Sequence, residues 1–162
     1  LHERLDVPYL STGHIFRNLA KEHTPLGRYI KETMNAGYLI PYEKALEIVA
    51  EYLQRPEYAK GYILDGFPRT VTQAEQLSNG IDKVIYLKVT DKEALWRLSL
   101  RDDSDREDAT LKAVHKRIRI FHEFTEPVIA YYKKKGQLVE IDGSQDITDI
   151  QKQILTTLKE NR

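Results

Sequence analysis

Residues 62–70, with the sequence YILDGFPRT, constrain the fold more than any other part of the chain. An apolar run ends in Asp65, and Gly66 and Pro68 follow before Arg69, which predicts a buried strand that ends at a turn. In an open α/β sheet, ligands bind outside the carboxyl ends of the strands. Because the planar guanidinium group of arginine matches phosphates and carboxylates, Arg69 is a candidate anion-binding residue. The alternative is a surface turn that carries a solvated ion pair.

Strands and helices are predicted to alternate along the chain. Short apolar runs predict strands at residues 7–10, 62–65, 84–89 and 138–141. Amphipathic patterns predict helices at residues 11–23, 24–36, 41–54, 70–77, 91–100, 110–135 and 146–159. The longest helix is expected to kink at Pro127 and to turn inward Val114, Ile118, Phe121 and Phe124. Strands separated by helices predict an α/β fold in which helices cover both faces of a parallel sheet.

The composition is that of a single globular domain. The chain has 162 residues, and 25 basic residues balance 25 acidic ones, so no global field favours nucleic acid or a membrane surface. The absence of cysteine excludes disulfides and thiolate metal sites. No apolar run reaches the roughly 18 residues of a membrane span. We therefore expect a cytoplasmic protein without nucleic-acid or membrane partners, with a monomer as the default.

Six arginine residues near predicted element ends indicate a binding site for a polyanion. They are Arg17, Arg69, Arg97, Arg101, Arg106 and Arg117. Phosphoryl transfer is catalysed mainly by positioning and charge stabilisation, so such a cluster suits that chemistry. Asp65, at a strand end, suits water-mediated binding of Mg²⁺, which keeps several of its waters. The alternative for each arginine is a solvated surface position, and for Asp65 it is a cap of the following turn.

Five motifs occur in order along nearly the whole chain. They are STGHIFR at 11–17, AGYLIP at 36–41, DGFPRTVTQA at 65–74, the group of Arg97, Arg101, Arg106, Asp108 and Arg117, and DGSQ at 142–145. Together these motifs resemble those of the adenylate kinases, in the nucleoside monophosphate kinase family. The resemblance implies a P-loop NTPase-like α/β fold and a single nucleoside monophosphate kinase domain over residues 1–162. Within it, residues 11–40 would form the monophosphate-binding segment and residues 101–110 a short lid, with the remainder as the core.

The resemblance also implies a reaction and a set of site residues. The reaction is reversible phosphoryl transfer from ATP to AMP, giving two ADP, with Mg²⁺ carried by ATP and no zinc. The residues expected to bind AMP are Thr12, Arg17, Tyr38, Leu39, Ile40, Gly66, Phe67, Pro68, Arg69, Gln73, Arg106 and Arg117. Those expected to bind ATP are Arg97, Arg101 and Gln145, and those expected in catalysis are Arg69, Arg101, Arg106 and Arg117. Asp65 would contact Mg²⁺ through water.

The sequence departs from the family pattern in three places. The glycine-rich P-loop, G-x-x-x-x-G-K, does not occur in it. We expect this loop upstream of Leu1 in the natural protein, and we expect a chain that truly begins at Leu1 to lack the ATP cradle and to be inactive. His14 stands where the family usually has Asp. The lid segment is short and has no cysteine, which resembles the family variant without zinc, and Ala109 replaces a usual Asp there.

Two other functions stay open on the sequence. A uridylate/cytidylate-type monophosphate kinase would share these motifs. Gln73 favours adenine, however, and the uridylate/cytidylate enzymes usually carry Asn at the position of Thr70. The second alternative is a non-catalytic nucleotide-binding module, which applies if the P-loop is truly absent.

Overall fold

Helices and parallel strands alternate along the chain in the computed structural model, which describes residues 1–77, 80–100 and 111–160. The strands are β1 (Tyr9–Ser11), β2 (Ile63–Asp65), β3 (Val84–Lys88) and β4 (Leu138–Asp142). The helices are α1 (His2–Leu5), α2 (Thr12–Lys21), α3 (Pro25–Asn35), α4 (Tyr42–Leu53), α5 (Val71–Gln76), α6 (Asp91–Ser99), α7 (Leu111–Ile120), α8 (Glu126–Lys134) and α9 (Ile147–Glu160). A 3₁₀ turn (Pro56–Tyr58) precedes β2, and a π-helical segment (Phe121–Thr125) joins α7 to α8. No helix within the described ranges has the length and apolarity that a membrane span requires.

The described strands form two parallel pairs. β1 pairs with β2, with Ser11 opposite Asp65, and β3 pairs with β4, with Lys88 opposite Asp142. These elements and their parallel pairing confirm the predicted strands and the α/β class. Within the described residues the pairs are separate two-stranded sheets and not one continuous sheet. In each pair the carboxyl ends lie side by side, so the turns that follow the two strands leave from the same edge.

Hydroxyl side chains cap four of the helices. Ser11, Thr24, Thr70 and Thr90 each accept a hydrogen bond from a backbone N–H in the first turn of α2, α3, α5 and α6, respectively. Pro25 occupies the first turn of α3, as predicted, because its fixed φ suits that position and its missing N–H is not needed there. Each cap contributes about 1 kcal/mol, so the local sequence fixes where these helices begin.

Buried apolar side chains hold the turn after β2 from two sides. Phe67, in that turn, is buried in one cluster with Val49 of α4 and other side chains of α3 and α4. Ala74, on the helix that follows the turn, is buried against Val128 of α8. Because protein interiors are densely packed, the turn between these two anchors has little freedom to move.

The long helix predicted over residues 110–135 is interrupted by the π-helical segment. α7 ends at Ile120 and α8 begins at Glu126, and the Glu126 N–H donates to the carbonyl oxygen of Phe121, which is a π-helical bond. Pro127 accounts for the interruption, because it has no N–H to donate and its ring clashes with the preceding turn of an α-helix. The irregularity expected at Pro127 therefore takes the form of a wide turn just before it.

The wide turn also changes which side chains face inward. Of the four side chains predicted on the buried face, Val114 is buried, and Ile118 and Phe121 are half-buried. Phe124 is 44% exposed, so that part of the prediction is wrong. The extra residue in the π-helical turn rotates the positions after Phe121 away from α-helical spacing.

His122 ties the outer side of the π-helical segment to α6 and α8. Its Nδ1 lies 2.9 Å from Glu126 Oε2, and its Nε2 lies 2.9 Å from Asp91 Oδ1. The hydrogen bonds to Glu126 and then to Asp91 raise the pKa of His122 above its ordinary value. Only a protonated imidazole donates from both nitrogens, so both contacts are hydrogen bonds only when the ring is charged.

We predict that His122→Gln lowers the stability of the fold only where the imidazole is protonated. The folded-state pKa is raised. The stabilisation is therefore fully present below the unfolded-state value of about 6.5 and is lost as the pH rises through the folded-state pKa. Midpoints of thermal unfolding, measured from about pH 5.5 to about pH 9, should differ between wild type and variant at the acidic end and converge at the alkaline end. His115→Gln, on α7, controls for the loss of a histidine, and a difference that persists unchanged at alkaline pH would contradict this explanation.

Candidate active site

The carboxyl ends of β1 and β2 bring Thr12 and Asp65 together. Thr12 is buried, and its Oγ1 donates a hydrogen bond to the backbone carbonyl of Asp65 over 3.1 Å. Tyr9, on β1, donates from its hydroxyl to Asp65 Oδ2 over 2.7 Å. Burial, and then this bond to the carboxylate, raise the pKa of Tyr9. The exposed carboxylate of Asp65 is thus oriented from the neighbouring strand.

Gly66 allows the turn after β2 to approach α2 closely. Its φ is +80°, in the left-handed region. A Cβ at this position would lie 2.7 Å from Thr12 Oγ1 and 3.2 Å from Arg69 Nη2. Both the backbone conformation and the available space therefore require glycine. A cis peptide bond joins Phe67 to Pro68 in the same turn, and the Phe67 side chain is buried.

Three hydrogen bonds hold Arg69 in place. Its Nε–H donates to the carbonyl oxygen of Gly66 over 2.7 Å, and its backbone N–H donates to Gln73 Oε1 over 2.7 Å. Its own carbonyl oxygen accepts from Thr125 Oγ1 over 3.0 Å. The side chain and both backbone polar groups of Arg69 are therefore fixed by the protein.

The guanidinium group of Arg69 is a half-buried positive charge with a positive neighbour. Burial lowers its pKa most, the charge of Arg117 on α7 lowers it further, and Asp65 acts in the opposite direction. Arginine stays protonated in proteins, so the charge persists. A bound anion would stabilise two such cations, and a phosphate group fits the guanidinium fork. Arg69 and Arg117 are the electrostatic centre of a candidate anion site.

Arg17 adds a cation on α2. Its Nη1 lies 3.1 Å from the position that a Cβ on Gly13 would occupy, so its guanidinium group lies over the first turn of the helix. The charge of Arg17 lowers the pKa of Tyr9, against the effect of burial, so the guanidinium group lies within electrostatic reach of that side chain. The structure thus brings Arg17 near the Tyr9–Asp65 pair.

Gln73 is buried on α5, just after the turn that carries Arg69. Its Oε1 accepts the Arg69 N–H, and its backbone N–H donates to Thr70 Oγ1 over 3.3 Å. The side-chain carbonyl is therefore engaged by the protein. The amide NH₂ is then the part of Gln73 that suits contact with a ligand.

The end of the predicted monophosphate-binding segment docks on α7. Gly37 has φ +74°, and a Cβ there would lie 3.1 Å from the carbonyl oxygen of Ala113. The ring of Tyr38 is 57% exposed, and Lys116 Nζ lies 3.1 Å from its centroid. Lys116 lowers the pKa of Tyr38 through their hydrogen bond. The next two residues, 39–40, are half-buried and buried, respectively, and lead into the core.

A second group of predicted site residues lies at the carboxyl ends of β3 and β4. Arg97, on α6, donates from Nη1 to the carbonyl oxygen of Gly143 over 2.8 Å and from Nε to Glu93 Oε1 over 2.6 Å. Gln145 accepts a hydrogen bond from Gln153 of α9 over 2.6 Å. Arg97 and Gln145 thus join α6 and α9 to the turn that follows β4.

The turn after β4 is fixed by local bonds and by packing on β3. Asp142 Oδ1 accepts from the hydroxyl and the backbone N–H of Ser144, and these bonds lower the pKa of its carboxyl group. The Gly143 N–H donates to the carbonyl oxygen of Lys88 over 2.8 Å. A Cβ on Gly143 would lie 2.9 Å from Val89 Cγ1, so the close approach requires glycine.

Two predicted site residues, Arg101 and Arg106, lie outside the described residues, as does the predicted lid at 101–110. Conversely, three residues that contact the candidate site were not predicted to do so: Tyr9, Lys116 and Thr125. Each of them meets a residue from a distant part of the chain, so no local spacing signals the contact. The Thr-x-Pro pattern at 125–127 indicates a helix start, but it does not indicate that the threonine hydroxyl reaches Arg69.

The described residues place the candidate anion site beside the carboxylate of Asp65. Among them, no group of three or more His, Asp or Glu side chains is arranged to hold a metal ion. Because Asp65 is one carboxylate, it would hold Mg²⁺ only together with oxygen ligands from a bound molecule. That ion takes few protein ligands and keeps several waters. The donor set therefore fits an ion that arrives with phosphate groups.

Comparisons with known proteins point to one family. The sequence model of the family described as "Adenylate kinase" matches residues 1–137. The chain is 35% identical to an adenylate kinase of Caldicellulosiruptor bescii, over 98% of this chain and 90% of the relative. It is 36% identical to an adenylate kinase of Cyanothece sp., over 95% and 83%, and 35% identical to one of Archaeoglobus fulgidus, over 97% and 88%. The C. bescii alignment spans 193 positions against 162 residues here, so at least 31 positions have no counterpart in this chain.

We predict that Gly66→Ala destabilises the fold more than Gly136→Ala does. Both glycines have positive φ, but a Cβ on Gly136 would meet nothing within 4 Å, whereas one on Gly66 would lie 2.7 Å from Thr12 Oγ1. Gly136→Ala should cost about 1–2 kcal/mol, from left-handed strain alone. Gly66→Ala should cost about 1–3 kcal/mol more, from crowding. Urea unfolding of both variants measures the difference, and equal losses in the free energy of unfolding would disprove the crowding.

Proposed function

The chain belongs to the adenylate kinase family, and on that premise we propose that it catalyses the reversible transfer of a phosphoryl group from ATP to AMP, giving two ADP. The observation that carries the proposal is the half-buried Arg69, fixed by three hydrogen bonds near a second cation, Arg117. Preorganised cations in a site shielded from water stabilise developing negative charge strongly. Phosphoryl transfer depends on such stabilisation and leaves the protein little covalent chemistry to do.

The phosphate of AMP would lie at the carboxyl ends of β1 and β2. Arg69 and Arg17 would bind it from the turn after β2 and from α2, with Thr12 at the start of that helix. Arg117 and Arg106 would contact both this phosphate and the transferring phosphoryl group. The charge of Arg117, which lowers the pKa of Arg69, supports this grouping, because both charges would then act on one polyanion.

The adenine base of AMP would lie between the turn at 66–68, the segment 38–40 and Gln73. The Gln73 carbonyl is engaged by the Arg69 N–H, so its NH₂ would donate to a ring nitrogen of the base. The relatives reported above are named adenylate kinases, which does not favour the uridylate/cytidylate or the non-catalytic alternative.

ATP would bind on the side of β3 and β4. Arg97 and Gln145, on α6 and in the turn after β4, would border its base. Arg101 would contact its phosphates and act in catalysis with Arg69, Arg106 and Arg117. The bond from Arg97 to the turn after β4 supports this role, since it fixes the surface on which the base would lie.

Mg²⁺ would enter the site with ATP and contact Asp65 through water. Asp65 fits such a contact, because Tyr9 orients its carboxylate and because Mg²⁺ is commonly held by substrate phosphates and one or two carboxylates. The ion would neutralise charge on the phosphate oxygens. The chain itself supplies the orientation of that carboxylate and the arginine charges around it.

Two segments would close over the nucleotides in a single domain of residues 1–162. They are the monophosphate-binding segment, 11–40, and the short lid, 101–110. Closure would exclude water, so that the phosphoryl group passes to AMP and not to a water molecule. The contacts of Gly37 and Tyr38 with α7 would hold one end of the first segment during closure.

We further propose that the protein is a cytoplasmic monomer whose partners are ATP, AMP and ADP. The balance of 25 basic and 25 acidic residues supports small-molecule partners over nucleic acid or a membrane surface. The absence of cysteine suits a reducing compartment.

We predict that Arg69→Ala in the full-length protein lowers kcat for ADP formation about 10²–10³-fold while the fold is retained. The loss follows from removing a fixed cation from the phosphate site. A coupled assay with ATP and AMP measures the rate, and circular dichroism checks the fold. Arg55→Ala is the control, because the Arg55 guanidinium group stacks 3.9 Å from the ring centre of Tyr52, on α4. An unchanged rate of ADP formation in Arg69→Ala would exclude the proposed role.

We also predict a strong preference for AMP over other monophosphates. A buried amide that donates to adenine should reduce kcat/KM for UMP and CMP by about 10²-fold or more, since the wrong base leaves it unpaired. Assaying AMP, GMP, UMP and CMP with ATP as donor tests this directly. Equal or better turnover of UMP or CMP would reinstate the uridylate/cytidylate alternative.

A further inference from the structure

We propose that Thr125 is a positioning residue that sets the orientation of Arg69 for the phosphate of AMP; this inference rests on the function proposed above for Arg69. Thr125 Oγ1 donates to the carbonyl oxygen of Arg69 over 3.0 Å, in a partly buried setting. The two residues lie far apart in the sequence, so the bond joins separate elements. Thr125 would act through Arg69, because its hydroxyl is bonded to the backbone of that residue.

The environment of Arg69 is unfavourable to a positive charge, so hydrogen bonds are needed to hold the residue in place. The side chain is half-buried and lies near the like charge of Arg117, and both effects lower its pKa. Repulsion would drive the two cations apart before an anion arrives. The other two bonds to Arg69 come from Gly66 and Gln73, in the same turn and the helix that follows it. Among these three hydrogen bonds, the one from Thr125 joins the turn to a distant part of the chain.

The π-helical segment explains how Thr125 reaches the turn. The wide bond from the Glu126 N–H to Phe121 expands the helix just where Thr125 lies, and π-helical turns of this kind often occur at functional sites. On the outer side of the same segment, His122 contacts Asp91 of α6. The segment is therefore held from both sides, with the threonine hydroxyl on the side of Arg69.

The hydrogen bond from Thr125 also constrains the distance between Arg69 and Arg117. Arg117 lies on α7, which continues directly into the π-helical segment, and Arg69 lies in the turn that the segment contacts. Thr125 thus connects the helix of one cation to the backbone of the other. A phosphate that bridges both guanidinium groups requires a fixed distance between them, because the bidentate geometry tolerates little displacement.

The first test compares Thr125→Val with Thr125→Ser in the full-length protein. Valine keeps the shape but removes the hydroxyl, whereas serine keeps it. Thr125→Val should reduce kcat/KM for AMP about fivefold to tenfold, as expected for one lost hydrogen bond. Thr125→Ser should stay within about twofold of wild type. The matched control is Thr157→Val, which removes a threonine hydroxyl that donates to the carbonyl oxygen of Gln153 on α9.

The second test separates positioning from stability with a double-mutant cycle. If Thr125 acts through Arg69, Thr125→Val should have no further effect on kcat/KM for AMP in the Arg69→Ala background, although it still shifts the midpoint of thermal unfolding. Independent kinetic losses in the double variant would overturn the proposal. So would a Thr125→Val variant that unfolds at a lower temperature with wild-type kinetics, because Thr125 would then be merely structural.

The same experiments distinguish failure of this inference from failure of the proposed function. If Arg69→Ala is impaired and Thr125→Val is not, only the role of Thr125 is wrong. If Arg69→Ala itself keeps wild-type kinetics, the assignment of Arg69 is wrong and the role of Thr125 falls with it. If the Thr125→Val variant folds poorly, the near-wild-type kcat/KM expected of Thr125→Ser still tests the role of the hydroxyl.

Discussion

The half-buried positive charge of Arg69 is the constraint on which the site depends. Moving a cation out of water is costly unless hydrogen bonds and an opposite charge compensate for the lost hydration. Gly66 supplies a carbonyl oxygen to the guanidinium group, Gln73 and Thr125 fix the backbone, and Asp65 supplies a negative charge nearby. These partners belong to the end of β2, the turn after it, α5 and the π-helical segment. The site therefore exists only when all of them are packed together.

α7 supports two parts of the candidate site, which are the end of the predicted monophosphate-binding segment and the turn that carries Arg69. The first half of α7 contacts the end of the predicted monophosphate-binding segment. Gly37 packs on Ala113, and Lys116 lies over the ring of Tyr38. Near its end α7 carries Arg117, whose charge acts on Arg69 in the turn after β2. One helix thus carries both the contacts to the end of residues 11–40 and the charge that acts on Arg69.

Much of the fold and part of the site follow from local sequence. Thr24 and Pro25 mark the start of α3, and Asp65, Gly66 and Arg69 mark a strand end followed by a turn, as the structure confirms. Local signals suffice there because a cap or a turn is set by neighbours in the chain. They do not suffice for the interruption after α7, where the helical pattern wrongly placed Phe124 inward. The spacing of hydrophobic residues along the sequence does not reveal that one helical turn contains an extra residue.

The sequence by itself determined the elements, their order, the parallel class of the strands and the identity of the residues that suit phosphate chemistry. These depend on periodicity, caps and side-chain type, which are properties of short stretches. Only the tertiary structure decided that Tyr9 orients Asp65, that Lys116 lies on the exposed ring of Tyr38, and that the hydroxyl at the end of the π-helical segment supports the arginine turn. Each of these contacts joins residues from distant parts of the chain. The distance between them is fixed by packing, which no local pattern encodes.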